Sequence, residues 1–72
     1  MEVNLLLSCT IEVLQLLIDQ YDNKKIDHKF FVENVGLKVK FLKDHLEYIK
    51  DETEISTAKS IINRCDEILK KS

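Results

Sequence analysis

Two histidines, two cysteines and a lone interior glycine are the residues of this 72-residue chain with the most chemistry to offer. Metal binding or proton transfer needs such groups near one another or near carboxylates. On a helix, the positions three and four away from His45 are Phe41, Leu42, Tyr48 and Ile49, none of them a ligand or a proton-transfer partner. His28 has Lys24 and Lys25 behind it and Phe31 and Val32 ahead. Neither fits the His-Glu-x-x-His motif or a ligand pair at i,i+4. The plainer reading is that His45 edges a core and His28 sits in the first turn of a helix. Cys9 and Cys65 are far apart in the sequence and form neither a disulfide framework nor a zinc site. Both fall on apolar helical faces, where a free thiol behaves as a small hydrophobe. Ser8 and Cys9 have no visible base to activate them. Gly36 stands alone, so there is no glycine-rich phosphate loop. The expectation is a protein with no catalytic residue, no metal, no cofactor and no small-molecule substrate.

Charge narrows the remaining classes. The net charge is −2, which argues against non-specific binding to nucleic acid or to a membrane surface. Its distribution is uneven. Residues 1–22 carry Glu2, Glu12, Asp19 and Asp22 and no cation, whereas residues 28–50 carry Lys29, Lys38, Lys40, Lys43 and Lys50 against Glu33, Asp44 and Glu47. Either both are solvated faces, or an acidic helix and a mildly basic one attract each other. No apolar run approaches the roughly 20 residues of a membrane span. Leu6-Leu7-Ser8-Cys9 has the look of a lipoprotein cleavage site, but Glu2 stands where a basic segment is needed. A reduced, cytoplasmic protein is expected.

The elements that must position these residues are helices. One glycine, no proline and a third charged residues leave few hairpin turns and many helix formers. A first helix is predicted over about 3–21. Its polar positions Asn4, Ser8, Glu12, Gln15, Asp19 and Asp22 form one narrow stripe. Nearly everything else on it is apolar, so it needs neighbours on two sides. Asn23 is expected to end it in a left-handed conformation. Asp27 is expected to cap a second helix, with Ile26 and Phe31 placed as a hydrophobic staple.

The second helix is predicted over about 28–50 and has two apolar stripes. Val32, Val35, Val39, Leu42, Leu46 and Ile49 repeat at coiled-coil spacing. Phe30, Leu37, Phe41 and Tyr48 form another, roughly 150° away at about 100° per residue. Gly36 is either a tolerated weak point or the mark of a close helix crossing. A third helix is predicted over about 54–70, capped by Thr53 or Ser56, with Ile55, Ala58, Ile62, Cys65 and Leu69 as its seam. Ion pairs at i,i+4 are available at Lys40–Asp44, Lys43–Glu47, Asp66–Lys70 and Glu67–Lys71.

The fold expected is therefore all-α: one helical domain over 1–72, as a three-helix bundle or a helical hairpin with a third helix alongside. A monomeric bundle needs one apolar stripe per helix, and the first two helices carry more. Surplus apolar surface of this kind marks an interface. A homodimer is the simplest cover. The candidate interface is Phe30, Leu37, Phe41 and Tyr48, with Glu12 and Asp19 as an acidic edge for a basic partner. The functional expectation is a protein–protein interaction module, a regulator or inhibitor. The second reading, a nucleic-acid-associated regulator, rests on lysines interleaved with Phe41 and Tyr48. It is opposed by the acidic balance and by Arg64 as the sole arginine.

Overall fold

The computed structural model describes residues 3–71; Glu2, counted above, and the side chain of Val3 lie outside the described residues. Three α-helices, α1 (Val3–Asp22), α2 (His28–Asp44) and α3 (Glu52–Lys70), pack against one another, with a 3-10 turn at Leu46–Tyr48 between the last two. Ser8 near the start of α1 meets Glu54 near the start of α3, and Asp22 at the end of α1 meets Arg64 late in α3. Thus α1 and α3 run parallel and α2 returns between them, giving an up-down-up bundle.

Each helix contributes one stripe to a shared core. From α1 come Leu7, Ile11, Leu14 and Ile18, all buried, at steps of four, three and four. From α2 come Phe31, Val35, Val39 and Leu42, and from α3 Ala58, Ile61, Ile62, Cys65 and Ile68. The core line of α2 is shifted at its start from the expected one. Phe31 is fully buried, and Val32 is partly exposed. The reason is local: Tyr21 at the end of α1 packs on Phe31 with ring centroids 5.1 Å apart, and Ile26 also lies against the core.

Three helix termini test the expected caps. Asp27 does cap α2, its carboxylate accepting from the Phe30 amide at 2.8 Å. The end of α1 differs from expectation. Asn23 donates its side-chain amide to the Asp19 carbonyl, and Lys24 takes the left-handed conformation at φ 61°. The Lys25 amide reaches the Gln20 carbonyl and the Lys24 amide the Tyr21 carbonyl, the two bonds of a Schellman motif with lysine where glycine is usual. The cap of α3 is Asp51, not Thr53 or Ser56; its carboxylate accepts from the Glu54 amide at 3.0 Å. Aspartate outranks threonine as an N-cap, and Glu52 and Glu54 add favourable charge in the first turn.

The second helix is also shorter than predicted, ending at Asp44 rather than near Lys50. The His45 imidazole Nδ1 lies 2.9 Å from the Phe41 carbonyl, which the His45 amide also approaches at 3.1 Å. That carbonyl is satisfied by the cap itself, and the chain tightens into the 3-10 turn. The break lets Ile49 turn inward; it is buried although its backbone is extended. Gly36 does not mark a close crossing, since a Cβ added there would meet nothing within 4 Å.

A candidate interaction surface

Contacts with α3 fix how α1 and α2 are turned. On α1, Ser8 and Asp22 point to α3, and Tyr21 points to α2. On α2, Lys43 points to α3, where it meets Asp66 at 3.0 Å. At about 100° per residue, these anchors place Leu6, Cys9, Val13 and Leu16 on the outer side of α1, with Leu6 and Val13 nearest α2. They place Phe30, Leu37 and Phe41 on the outer side of α2, turned toward α1. The two stripes therefore share one outward face, formed by α1 and α2 together.

Exposure agrees with this placement. Leu5, Leu6, Val13 and Leu16 on α1 and Phe30, Leu37 and Tyr48 along α2 and the turn after it are all exposed, Leu37 to 83%, while the exposed Val32 lies on the Lys43 side of α2, toward α3, and is not part of this face. Phe41 is the exception, half-buried against the core. Its ring begins a stack that continues through His45 at 4.5 Å to Tyr48 at 5.7 Å. Because a carbonyl only accepts, His45 donates from Nδ1 to Phe41 and turns Nε2 away from that bond. The stack holds an aromatic ledge at the end of α2 where the helix itself has stopped.

The expected acidic edge lies elsewhere. Glu12 and Asp19 are exposed on the α3 side of α1, not beside the aromatic stripe. Asp19 accepts from Gln15 at 3.1 Å, and Asp22 is engaged by Arg64. The structure thus gathers Phe30, Leu37, Phe41 and Tyr48 and separates them from Glu12 and Asp19. Sequence reasoning did not single out the outer seam of α1. Its signal was present: Leu6, Cys9, Val13 and Leu16 step by three, four and three, hidden among the many other apolar positions of that helix.

Other chemistry is sparse. Among the described residues there is no group of three or more His, Cys, Asp or Glu placed to hold a metal ion. Cys9 is exposed, against the expectation of a small core hydrophobe, whereas Cys65 is buried. Burial first, and the neighbouring Asp66 second, push the Cys65 thiol up from 9.0 to about 11, against a smaller pull from Arg64 and Lys43. An open groove at the α1–α2 loop gathers Lys24, Lys25, Arg64 and Lys71, offset by Asp22 and Asp27. The i,i+4 ion pairs expected on α2 and α3 are not formed among the described residues. Lys43 and Asp66, a member of each helix's expected pairs, join across the bundle instead.

No family model, curated protein or solved structure matches this chain.

Proposed function

We propose that this protein is a helical protein–protein interaction module, a regulator or inhibitor that works by binding and not by catalysis. Its working surface is the outer face of α1 and α2. One observation carries the reading: among the described residues, the exposed large hydrophobics lie on α1, α2 and the turn after α2, with none on α3, and all but Val32 are on the side away from α3. A patch of this kind costs solubility unless a protein surface covers it. Such a face serves self-association or capture of another protein, and both draw on the same residues. No described helix is long and apolar enough to cross a membrane.

The test is the double variant L16K/L37K. Both positions are exposed in the single chain, so its circular dichroism should match the parent. Affinity purification of tagged parent and variant from the native host, with bound protein and nucleic acid both identified, should show protein partners lost from the variant alone. Equal recovery from both would sink the reading. The second reading, association with nucleic acid, draws on the lysines interleaved with Phe41 and Tyr48 and on Lys24, Lys25 and Lys71 at the loop groove, where Arg64 is already engaged by Asp22. It requires retention on DNA or RNA that falls steeply with salt and survives L16K/L37K.

A further inference from the structure

The junction between α2 and α3 is closed by side chains and not by the residues that usually break a helix. Residues 45–51 contain no glycine and no proline, yet α2 stops at Asp44 and α3 starts at Glu52. Leu46, Glu47 and Lys50 are good helix formers. Two caps bracket the break. The His45 imidazole donates from Nδ1 to the Phe41 carbonyl at 2.9 Å, and the Asp51 carboxylate accepts from the Glu54 amide at 3.0 Å. Between them lie the 3-10 turn Leu46–Tyr48 and the extended backbone of Ile49.

The core does not require this break. At about 100° per residue, a continued helix would place Leu46 and Ile49 on the side of α2 that carries Val35, Val39 and Leu42. In the observed path Ile49 is buried and Leu46 packs against the core all the same. Both paths therefore turn the same two side chains inward. A continued helix would need Asp51 and Glu52 to reverse the chain, so α3 would start later. Thr53 is a competent N-cap for that later start, with Glu54 favourably placed in the first turn. The later start gives up the Asp51 cap. It replaces 3-10 bonds, which have poorer geometry, with α-helical ones. It also offers Lys43 a partner at i,i+4 in Glu47, in place of Asp66 across the bundle. The two paths differ in their caps and edge pairs, not in the core.

We propose that residues 45–53 form a sliding junction with two helix registers, held in the short-α2 register by the His45 and Asp51 caps. In the long register α2 runs to about Lys50 and α3 begins after Thr53. The consequence for the outer face rests on the interaction reading above. In the long register Tyr48 leaves the 3-10 turn and joins Phe30, Leu37 and Phe41 on one helical line, at steps of seven, four and seven. A partner that needs that line unbroken binds the long register better and draws the junction toward it. Release of the caps then lengthens the stripe without changing its residues.

The test reads backbone NMR chemical shifts of the whole chain in the parent, His45→Phe, Asp51→Ala and the two combined. His45→Phe keeps a ring in the aromatic stack and a similar helix propensity but removes the Nδ1 donor. Asp51→Ala removes the cap of α3. In the parent, helical shifts should stop at Asp44 and resume at Glu52. In the double variant they should run on through residues 46–50 and vanish from Glu52 and Thr53, with the single variants between. A parent already helical through Lys50 overturns the hold of the caps. Helical shifts that still stop at Asp44 in the double variant overturn the junction. If the double variant does not fold, the single variants are read in the same way, and parent-like helix ends in both overturn it. None of these results bears on L16K/L37K, whose positions lie outside residues 45–53, so the junction and the interaction reading fail separately.

Discussion

The side of α1 that faces α3 and the side that faces away from the core end in opposite ways. Toward α3, the margin of α1 is polar: Ser8 donates to Glu54 at 3.1 Å, and Arg64 donates to Asp22. The margin between α2 and α3 is closed similarly by Lys43 and Asp66. The margin between α1 and α2 is closed by Tyr21, Phe31 and the residues around them, and the face above it remains apolar. A helix whose neighbours are polar at the edge is finished when its core stripe is buried. The α1/α2 pair is not finished by the same criterion, because Leu6, Leu16 and Leu37 are outside that stripe and still apolar.

The sharpest way to separate core from face is a pair of adjacent phenylalanines. Phe31 is fully buried and Phe30 is half exposed. Phe31→Ala should destabilise by about 3–5 kcal/mol in urea unfolding. Phe30→Ala should stay within roughly 0.5 kcal/mol of the parent. Phe41→Ala should fall between them, because Phe41 belongs to both surfaces, and should weaken association as well. Equal losses at positions 30 and 31 would mean that the two surfaces are not distinct.

Much of this division was legible in the sequence. The helix order and the second stripe of α2 follow from spacing, because burying one face leaves the other unexplained. The cap at Asp27 is equally readable, since an aspartate before an apolar run has one favourable use. The end of α2 was not readable. Its apolar spacing continues through Leu46 and Ile49, and nothing in the spacing says that Ile49 reaches the core from extended backbone. The candidate site was half legible. The acidic stripe of α1 looked like a binding edge because a sequence shows which residues share a helix face but not which neighbour that face meets. Arg64 on α3 answered that question for Asp22.

The two cysteines sample the two environments directly. At pH 8 a thiol reagent should modify Cys9 in the folded protein and reach Cys65 only on unfolding. The folded Cys65 thiol keeps its proton to about pH 11, against 9.0 in an unfolded chain. Its contribution to stability is therefore complete below pH 9 and is lost as pH rises from 9 toward 11. Melting temperatures across that window should fall less in Cys65→Ala than in the parent. An equal fall in both would show that burial of this thiol is not what alkali attacks.

Two backbone positions give a smaller contrast. Gly36 lies inside α2 with open space where a Cβ would go, so Gly36→Ala should stabilise by about 1 kcal/mol. Lys24 holds a left-handed conformation that glycine adopts without strain, so Lys24→Gly should stabilise by up to about 1 kcal/mol. Thermal unfolding measures both. Neither substitution touches the α1/α2 seam, so association should be unchanged while stability rises. A change in association would tie the face to local flexibility and not to its fixed side chains.

The least effect is expected where the polar margin itself is removed. Lys43 and Asp66 are both substantially exposed, at 46% and 33%, and such a pair contributes about 0.2–1 kcal/mol. Asp66→Asn should therefore cost less than 1 kcal/mol, and most of that loss should vanish at high salt, where exposed charges are screened. The size of the effect matters for the comparison. If the margin pairs contribute so little, α3 is held by Ile61, Ile62, Cys65 and Ile68, and its charged edge serves to keep that side of the bundle wet. The apolar outer face of α1 and α2 then differs from the α3 margins in what it admits, a dry partner surface, and not in how firmly its own helices are bound.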